Sequence, residues 1–311
     1  MKFCVHSIIV LFMLGVTIQG KTQTLNGFNL KGSSIPISEI RSGGPPRDGI
    51  PSIDKPTFIE AENAGYADDS RVLGIMVDGI ARAYPIAIMN YHEIVNDKFI
   101  KTPVVITYCP LCGSGIAYLA KIGGKSRTFG VSGLLYNSDV LLYDRQSESL
   151  WSQLMSEAVT GPMKGMKLEI IPTSNTSWGD WKSRHPNTLV LSTKTGFNRD
   201  YTRTPYMGYD DSEQLYFPVN NRNYEYHQKE MIIGIEVDGK FKAYPYEELK
   251  KLSSYPFVDK FNGKTLNVYF EEGYKSAWIL GENDEELPYM TTFWFAWYAF
   301  HPDTEVFKAG K

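Results

Sequence analysis

Residues 74–85 read Gly74-Ile75-Met76-Val77-Asp78-Gly79-Ile80-Ala81-Arg82-Ala83-Tyr84-Pro85, and this pattern decides the fold. An apolar run meets Asp78-Gly79, the signal for a two-residue hairpin turn, and the chain returns through Ile80–Tyr84. Pro85 then opens a helix, where its missing N–H costs little, and Ile86, Met89 and Ile94 give that helix a buried stripe closed by Asn96-Asp97. The stretch recurs 160 residues later as Gly234-Ile235-Glu236-Val237-Asp238-Gly239-Lys240-Phe241-Lys242-Ala243-Tyr244-Pro245. A second set, Trp178, Trp181, His185-Pro186, Thr188 and Val190, recurs 116 residues later as Trp294, Trp297, His301-Pro302, Thr304 and Val306. Two landmarks in the same order imply a duplicated unit, and offsets of 160 and 116 make the second copy 44 residues shorter between them.

The expected fold is α+β, mainly antiparallel β with short helices, in two related lobes from an internal duplication. Residues 56–200 form the first lobe, which opens on a short helix around Ile59–Ala64, and residues 231–311 form the shorter second lobe. Between them, 201–230 reads as a Tyr- and Asn-rich linker. Residues 21–55, dense in glycine and proline, read as an extended lead-in over the surface. Residues 1–20 read as a signal peptide: Lys2, the apolar run Ile8–Val16, and cleavage near Gly20 that removes Cys4. The protein is thus expected to be exported, periplasmic or extracellular, with an uncleaved N-terminal membrane anchor as the alternative. No transmembrane segment is expected in the mature chain.

With 311 residues, 42% hydrophobic and 22% charged, there is ample core material. A net charge of −3 gives no reason to expect nucleic acid as a partner. No phosphate loop, HExxH or Gly-x-Ser-x-Gly elbow is present, so neither nucleotide nor flavin is expected.

Chemistry concentrates at Val104-Val105-Ile106-Thr107-Tyr108-Cys109-Pro110-Leu111-Cys112-Gly113-Ser114-Gly115. Beyond the leader these two cysteines are the only ones. Three readings stand. Cys109 and Cys112 with His92 make a soft ligand set for copper, placed ahead of zinc. In that reading Tyr108, Asn137 and Asp139 support the site or face a substrate. The pair could equally form a local disulfide in a non-catalytic binding or scaffold protein. Thiol–disulfide exchange is the third, weakened because Gly113-Ser114-Gly115 is a poor helix start for activating the first cysteine. The partner in each case is an unidentified small molecule or redox protein. The second copy has Leu252 at the place of His92 and Glu271-Glu272-Gly273 after its corresponding strand, so only the first copy is equipped.

At Thr107-Tyr108-Cys109-Pro110-Leu111-Cys112-Gly113-Ser114 the chain resembles the DUF3179 family, a domain of unknown function. The resemblance includes Arg47-Asp48-Gly49-Ile50-Pro51, Ala83-Tyr84-Pro85, His92-Glu93-Ile94-Val95-Asn96-Asp97, Ser132–Asp139, Tyr143-Asp144-Arg145 and His185-Pro186. It spans nearly all of residues 43–308 and implies that the mature chain is one family module. It implies no particular reaction.

Overall fold

A computed structural model of the chain describes residues 23–310. The expected signal peptide, Cys4 and the cleavage position near Gly20 lie outside the described residues. The fold is α+β, with antiparallel sheets and a few short helices. No described helix is long and apolar enough to cross a membrane.

The hairpin Arg71–Val77/Ile80–Pro85 forms at Asp78-Gly79, both residues taking positive φ (52° and 74°) as its tight turn requires. Its counterpart Met231–Val237/Lys240–Pro245 turns at Asp238-Gly239 in the same way. Each hairpin is followed by a helix, Ile86–His92 in the first unit and Tyr246–Leu249 in the second. The correspondence extends to register. Ser174 faces Gly74 where Met290 faces Gly234, and Val190 runs parallel to Ala83 where Val306 runs parallel to Ala243. These pairs keep both sequence offsets.

The recurring tryptophans explain the recurring glycines. Trp181, on helix Trp178–Arg184, lies so close to Gly74 that an added Cβ would stand 2.2 Å from its ring. Trp297, on helix Trp294–Phe300, would meet a Cβ on Gly234 at 2.4 Å. Each indole N–H is anchored on the recurring threonine: Trp181 Nε1 donates to Thr188 Oγ1 (2.9 Å) and Trp297 Nε1 to Thr304 Oγ1 (3.0 Å).

The two units share a sheet. Strand Ser114–Leu119 of the first pairs with Thr102–Cys109 on one side and meets Tyr289–Phe293 of the second on the other, through Gly115 and Thr291. Reciprocally, strand Ser276–Leu280 of the second packs against Ser174–Ser177 of the first. A Cβ on Gly115 would stand 2.1 Å from the Leu73 side chain of the first hairpin, so this strand is packed against its own unit as closely as the tryptophans are. The sheet therefore runs through both expected lobes.

Three local expectations differ from the structure. Phe58–Glu60 is a strand, paired with Leu189–Leu191, and only Ala61–Asn63 is helical, as one 3-10 turn. The helix after Pro85 stops at His92 because Glu93 turns left-handed (φ 56°), and Ile94–Phe99 is a strand. The lead-in is part of the domain: Phe28, Leu30, Ile35 and Ile40 are buried against Leu134, Leu141 and Tyr143, and Arg41–Ser42 adds a strand beside Phe129–Tyr136. Apolar residues spaced among its turns give it anchors that composition alone hides.

Gly74→Ala and Gly234→Ala should each cost about 1–3 kcal/mol, because the indole cannot retreat without displacing the helix that carries it. Gly65→Ala, where nothing lies within 4 Å, is the neutral control. Urea unfolding midpoints with an unchanged slope would measure the difference.

Candidate metal centre

Cys109 ends strand Thr102–Cys109, and Cys112 lies in the four-residue connection to strand Ser114–Leu119. Cys109 pairs with Ser114 at the strand ends, and the Cys112 N–H donates to the Cys109 carbonyl at 3.1 Å, closing a turn over Pro110-Leu111. Gly113 follows with φ 60°, where a Cβ would also press on the Phe293 ring at 2.9 Å. The Cys112 carbonyl accepts from the Phe293 N–H and from Thr292 Oγ1, both at 2.8 Å. The second unit thus holds one side of the thiol turn.

A third group arrives from the hairpin Phe129–Tyr136/Asp139–Asp144. Its two-residue turn is left-handed at both Asn137 (φ 50°) and Ser138 (φ 67°). Asn tolerates that geometry, whereas for serine it costs on the order of 1 kcal/mol. The conformation turns the Ser138 carbonyl toward both sulfurs, 3.8 Å from Cys109 Sγ and 3.5 Å from Cys112 Sγ. Asp139 follows, wholly buried, and one carboxylate oxygen lies within 4.8 Å of both sulfurs. Its Oδ2 accepts from the Leu154 N–H (3.0 Å) and Ser152 Oγ (3.4 Å). Its Oδ1 is buried without any partner.

Burial sets the protonation of this cluster. It pushes the Asp139 carboxyl up to about 7 against the hydrogen bonds it accepts. Glu93 is pushed up to about 8, by burial first and then by the charge of Asp139. The Cys112 thiol is raised well above its ordinary value by burial, with Cys109 and then Asp139 adding to it. All three groups resist ionising as long as no cation is near.

His92 is not among these ligand atoms. Its Nδ1–H donates to the Pro51 carbonyl at 2.7 Å, and its Nε2 lies 2.6 Å from the Tyr201 hydroxyl. Both ring nitrogens are occupied, so the imidazole expected beside the thiols holds the lead-in and Tyr201 instead. The residue after it points the other way: the Glu93 carbonyl accepts from the Tyr108 N–H at 2.7 Å, which brings the Glu93 side chain into the field of Asp139. Tyr108 is buried beside Cys109, its hydroxyl raised by burial and then by Asp210. Asn137 Oδ1 accepts from the Asn220 N–H at 2.9 Å and so fixes the hairpin turn. Cys109 and Cys112 are free cysteines here, and the local disulfide of the alternative reading is not formed.

The stretch expected as a linker covers the thiols. Tyr206, Leu215, Phe217 and Val219 pack on the apolar cluster that contains both cysteines, and the Tyr209 hydroxyl donates to the Leu111 carbonyl at 3.1 Å. Lys229 Nζ ties the cover down by donating to the Ser212 carbonyl and, at 2.7 Å, to that of Gln214, and it lies 4.0 Å from the Tyr209 ring centre. The tyrosine density of this segment was the available signal that it packs.

A family model described as "Protein of unknown function (DUF3179)" matches residues 47–304. The chain belongs to the DUF3179 family. No curated protein and no solved structure matches it.

Most of the shared motifs prove to be clasps. Tyr143 Oη donates to Asp48 Oδ2 (2.5 Å), Arg47 pairs with Glu148, and Arg145 reaches Ser52 Oγ (2.8 Å) and Asp54 (3.1 Å). Asp144 is buried and accepts from Arg127, Trp151 Nε1 and the Ser147 N–H. Tyr84 and Arg82 both bind Asp97, while Asn96 bonds the backbone N–H and carbonyl of Phe129. Of the DUF3179 motifs, the thiol turn, Glu93 and Asp139 supply buried polar groups that these clasps do not use.

Asp139→Asn should stabilise the metal-free DUF3179 protein at alkaline pH. The folded-state value near 7 exceeds the unfolded one of about 3.9, so the native state holds the extra proton between them and stability falls as pH rises through that window. The amide removes this titration while keeping an acceptor for Leu154. Thermal or urea melts should favour the variant by roughly 2–4 kcal/mol at pH 8, with the advantage gone near pH 4.

Proposed function

We propose that the protein is an exported metal-binding protein that takes one divalent, zinc-like ion through Cys109, Cys112 and Asp139. The observation that carries this reading is a wholly buried Asp139, one carboxylate oxygen unpartnered, whose carboxylate reaches within 4.8 Å of two free thiols. A buried acceptor without a donor costs about 1–3 kcal/mol, and a cation relieves that cost while drawing the protons from Asp139 and Cys112. Ligand atoms around one tetrahedral zinc sit roughly 3.3–3.8 Å apart. Donor atoms within 4.8 Å of one another therefore need only small side-chain adjustments.

The donor set moves the preference from the copper expected by sequence toward zinc. Copper(I) is satisfied by the two soft sulfurs and gains little from a hard carboxylate. Two thiolates and a carboxylate carry three negative charges, of which a divalent ion neutralises two in this buried setting. Three protein donors also leave a fourth position for water or a substrate atom, as catalytic zinc sites do. Bound metal would supply Lewis acidity at that position. Glu93, protonated below about 8, is the nearby group able to hold or release a proton. Disulfide exchange with a protein partner is disfavoured, because both thiols are at most 1% exposed and Cys112 resists forming the thiolate. The matched register of the two units supports an origin by duplication, with the donors carried only by the first copy. Export rests on the leader-like residues 1–20.

Protein purified reduced and metal-free should bind close to one equivalent of zinc, or of cobalt(II) with thiolate charge-transfer absorption. Cys109→Ser and Cys112→Ser should abolish this binding, and Asp139→Asn should weaken zinc at least about tenfold while sparing copper(I). His92→Gln should bind as wild type. Affinity should fall as pH drops, since metal must displace the Cys112 proton already at neutral pH, and more steeply below about 7, where Asp139 also binds a proton. Equal zinc retention by the wild type and the double cysteine variant would refute the site.

A further inference from the structure

The two units repeat one another closely enough that a difference in packed space is informative. In each, the helix bearing the glycine-contacting tryptophan ends beside its hairpin and leaves a recess facing the other unit. In the first unit this recess is nearly closed, with about 60 Å³ remaining beside Gly74, Trp181 and His185. Arg184 lines it, held by Asp180 at 2.5 Å with its guanidinium 5.5 Å from the Trp181 ring and 5.6 Å from that of Trp278. At the place corresponding to Arg184 the second unit has Phe300. There, beside Gly234, Trp297 and His301, the recess opens into a cavity of about 800 Å³. That lies within the range of small-molecule sites.

The lining restricts what fits. Tyr136, Phe241, Tyr289, Trp297 and Phe300 bring aromatic surface, and Met155 and Met290 bring adaptable apolar surface. Asn137, Asn220 and Asn221 add amides, each of which donates one N–H to the protein, to Ala299 or Glu39, and has a second N–H to offer. Its two charged residues, Lys167 and Glu236, are exposed at the mouth, and Lys167 is already paired with Glu157 at 2.6 Å. No charge lies inside to pay for burying an ion. His301 stacks on Phe241 at 3.8 Å and is neutral at physiological pH, its imidazole pushed down to about 4 by burial. It therefore adds a hydrogen-bonding group without charge. A sugar would present more hydroxyls than this mostly apolar wall can pair.

We propose that this cavity is a binding site for an uncharged aromatic molecule carrying a hydrogen-bonding oxygen, of the phenol or quinone class. The ring lies among Tyr136, Trp297 and Phe300, and the oxygen meets the asparagine amides or His301. The cavity shares Asn137 and Leu154 with the surroundings of the thiol site, but the proposal does not require metal there.

The test uses mature, metal-free protein with 2-naphthol as probe and maltotriose as the carbohydrate comparison, read by ligand-observed NMR and tryptophan fluorescence. Saturable 1:1 binding of 2-naphthol below about 1 mM is expected, with none for maltotriose. Phe300→Arg, which installs the closing residue of the first unit, should weaken binding at least tenfold. Asn221→Trp narrows the cavity from the half-buried cover and serves where Phe300→Arg does not fold; it should do the same. The Cys109→Ser/Cys112→Ser variant should bind 2-naphthol as wild type does, which separates this site from the metal reading. The proposal is overturned by absent saturable naphthol binding, by undiminished binding in a folded narrowed variant, or by preference for maltotriose.

Discussion

The thiol hairpin is gripped from two sides by two different units, and this constraint organises the molecule. One edge of Ser114–Leu119 belongs to its own hairpin and the other meets Tyr289–Phe293. The Cys112 carbonyl is fixed by Thr292 and Phe293. Side chains at Gly115 or Gly113 would collide with Leu73 or Phe293, so the grip tolerates no added bulk at those positions. The sulfurs are consequently held in a seam where both units supply cover and water has little access. Burial there is a product of assembly, since neither hairpin alone could exclude solvent.

That burial makes the chemistry. A carboxyl at the surface would ionise near ~4 and its charge would be solvated by water. Asp139 is instead desolvated with one oxygen paired to backbone and hydroxyl donors and the other to nothing. Glu93 shares the environment and adds to it. The arrangement is costly for a bare protein and economical for one that holds a cation. The same logic explains why so many of the DUF3179 motifs lie away from the thiols. The Arg47-Asp48, Tyr143–Arg145, Ala83-Tyr84 and Asn96-Asp97 residues satisfy one another, closing strands and lead-in around the site. They bear on the chemistry by holding together the strands and lead-in that surround it.

The sequence carried much of this at the level where interactions are local. Asp78-Gly79 and Asp238-Gly239 announce their hairpins because positive φ is a property of a few neighbouring residues. The offsets of 160 and 116 announce the matched units because glycine, tryptophan and threonine meet at a fixed contact in each. The thiol turn was legible as a candidate site from its spacing alone.

What the sequence could not decide was which groups face those thiols. His92 and Glu93 are neighbours, and one left-handed residue sends their side chains to different places. Asp139 was recognisable as near the site, yet its promotion to a prospective ligand depends on the turn at Asn137-Ser138 and on burial by strands distant in sequence. The packing of 201–219 as a cover, and the shared sheet that joins the expected lobes, also rest on contacts across long stretches of chain. Turn preference and periodicity are written in adjacent residues. Desolvation and convergence of donors belong to surfaces that exist only after the chain has closed on itself.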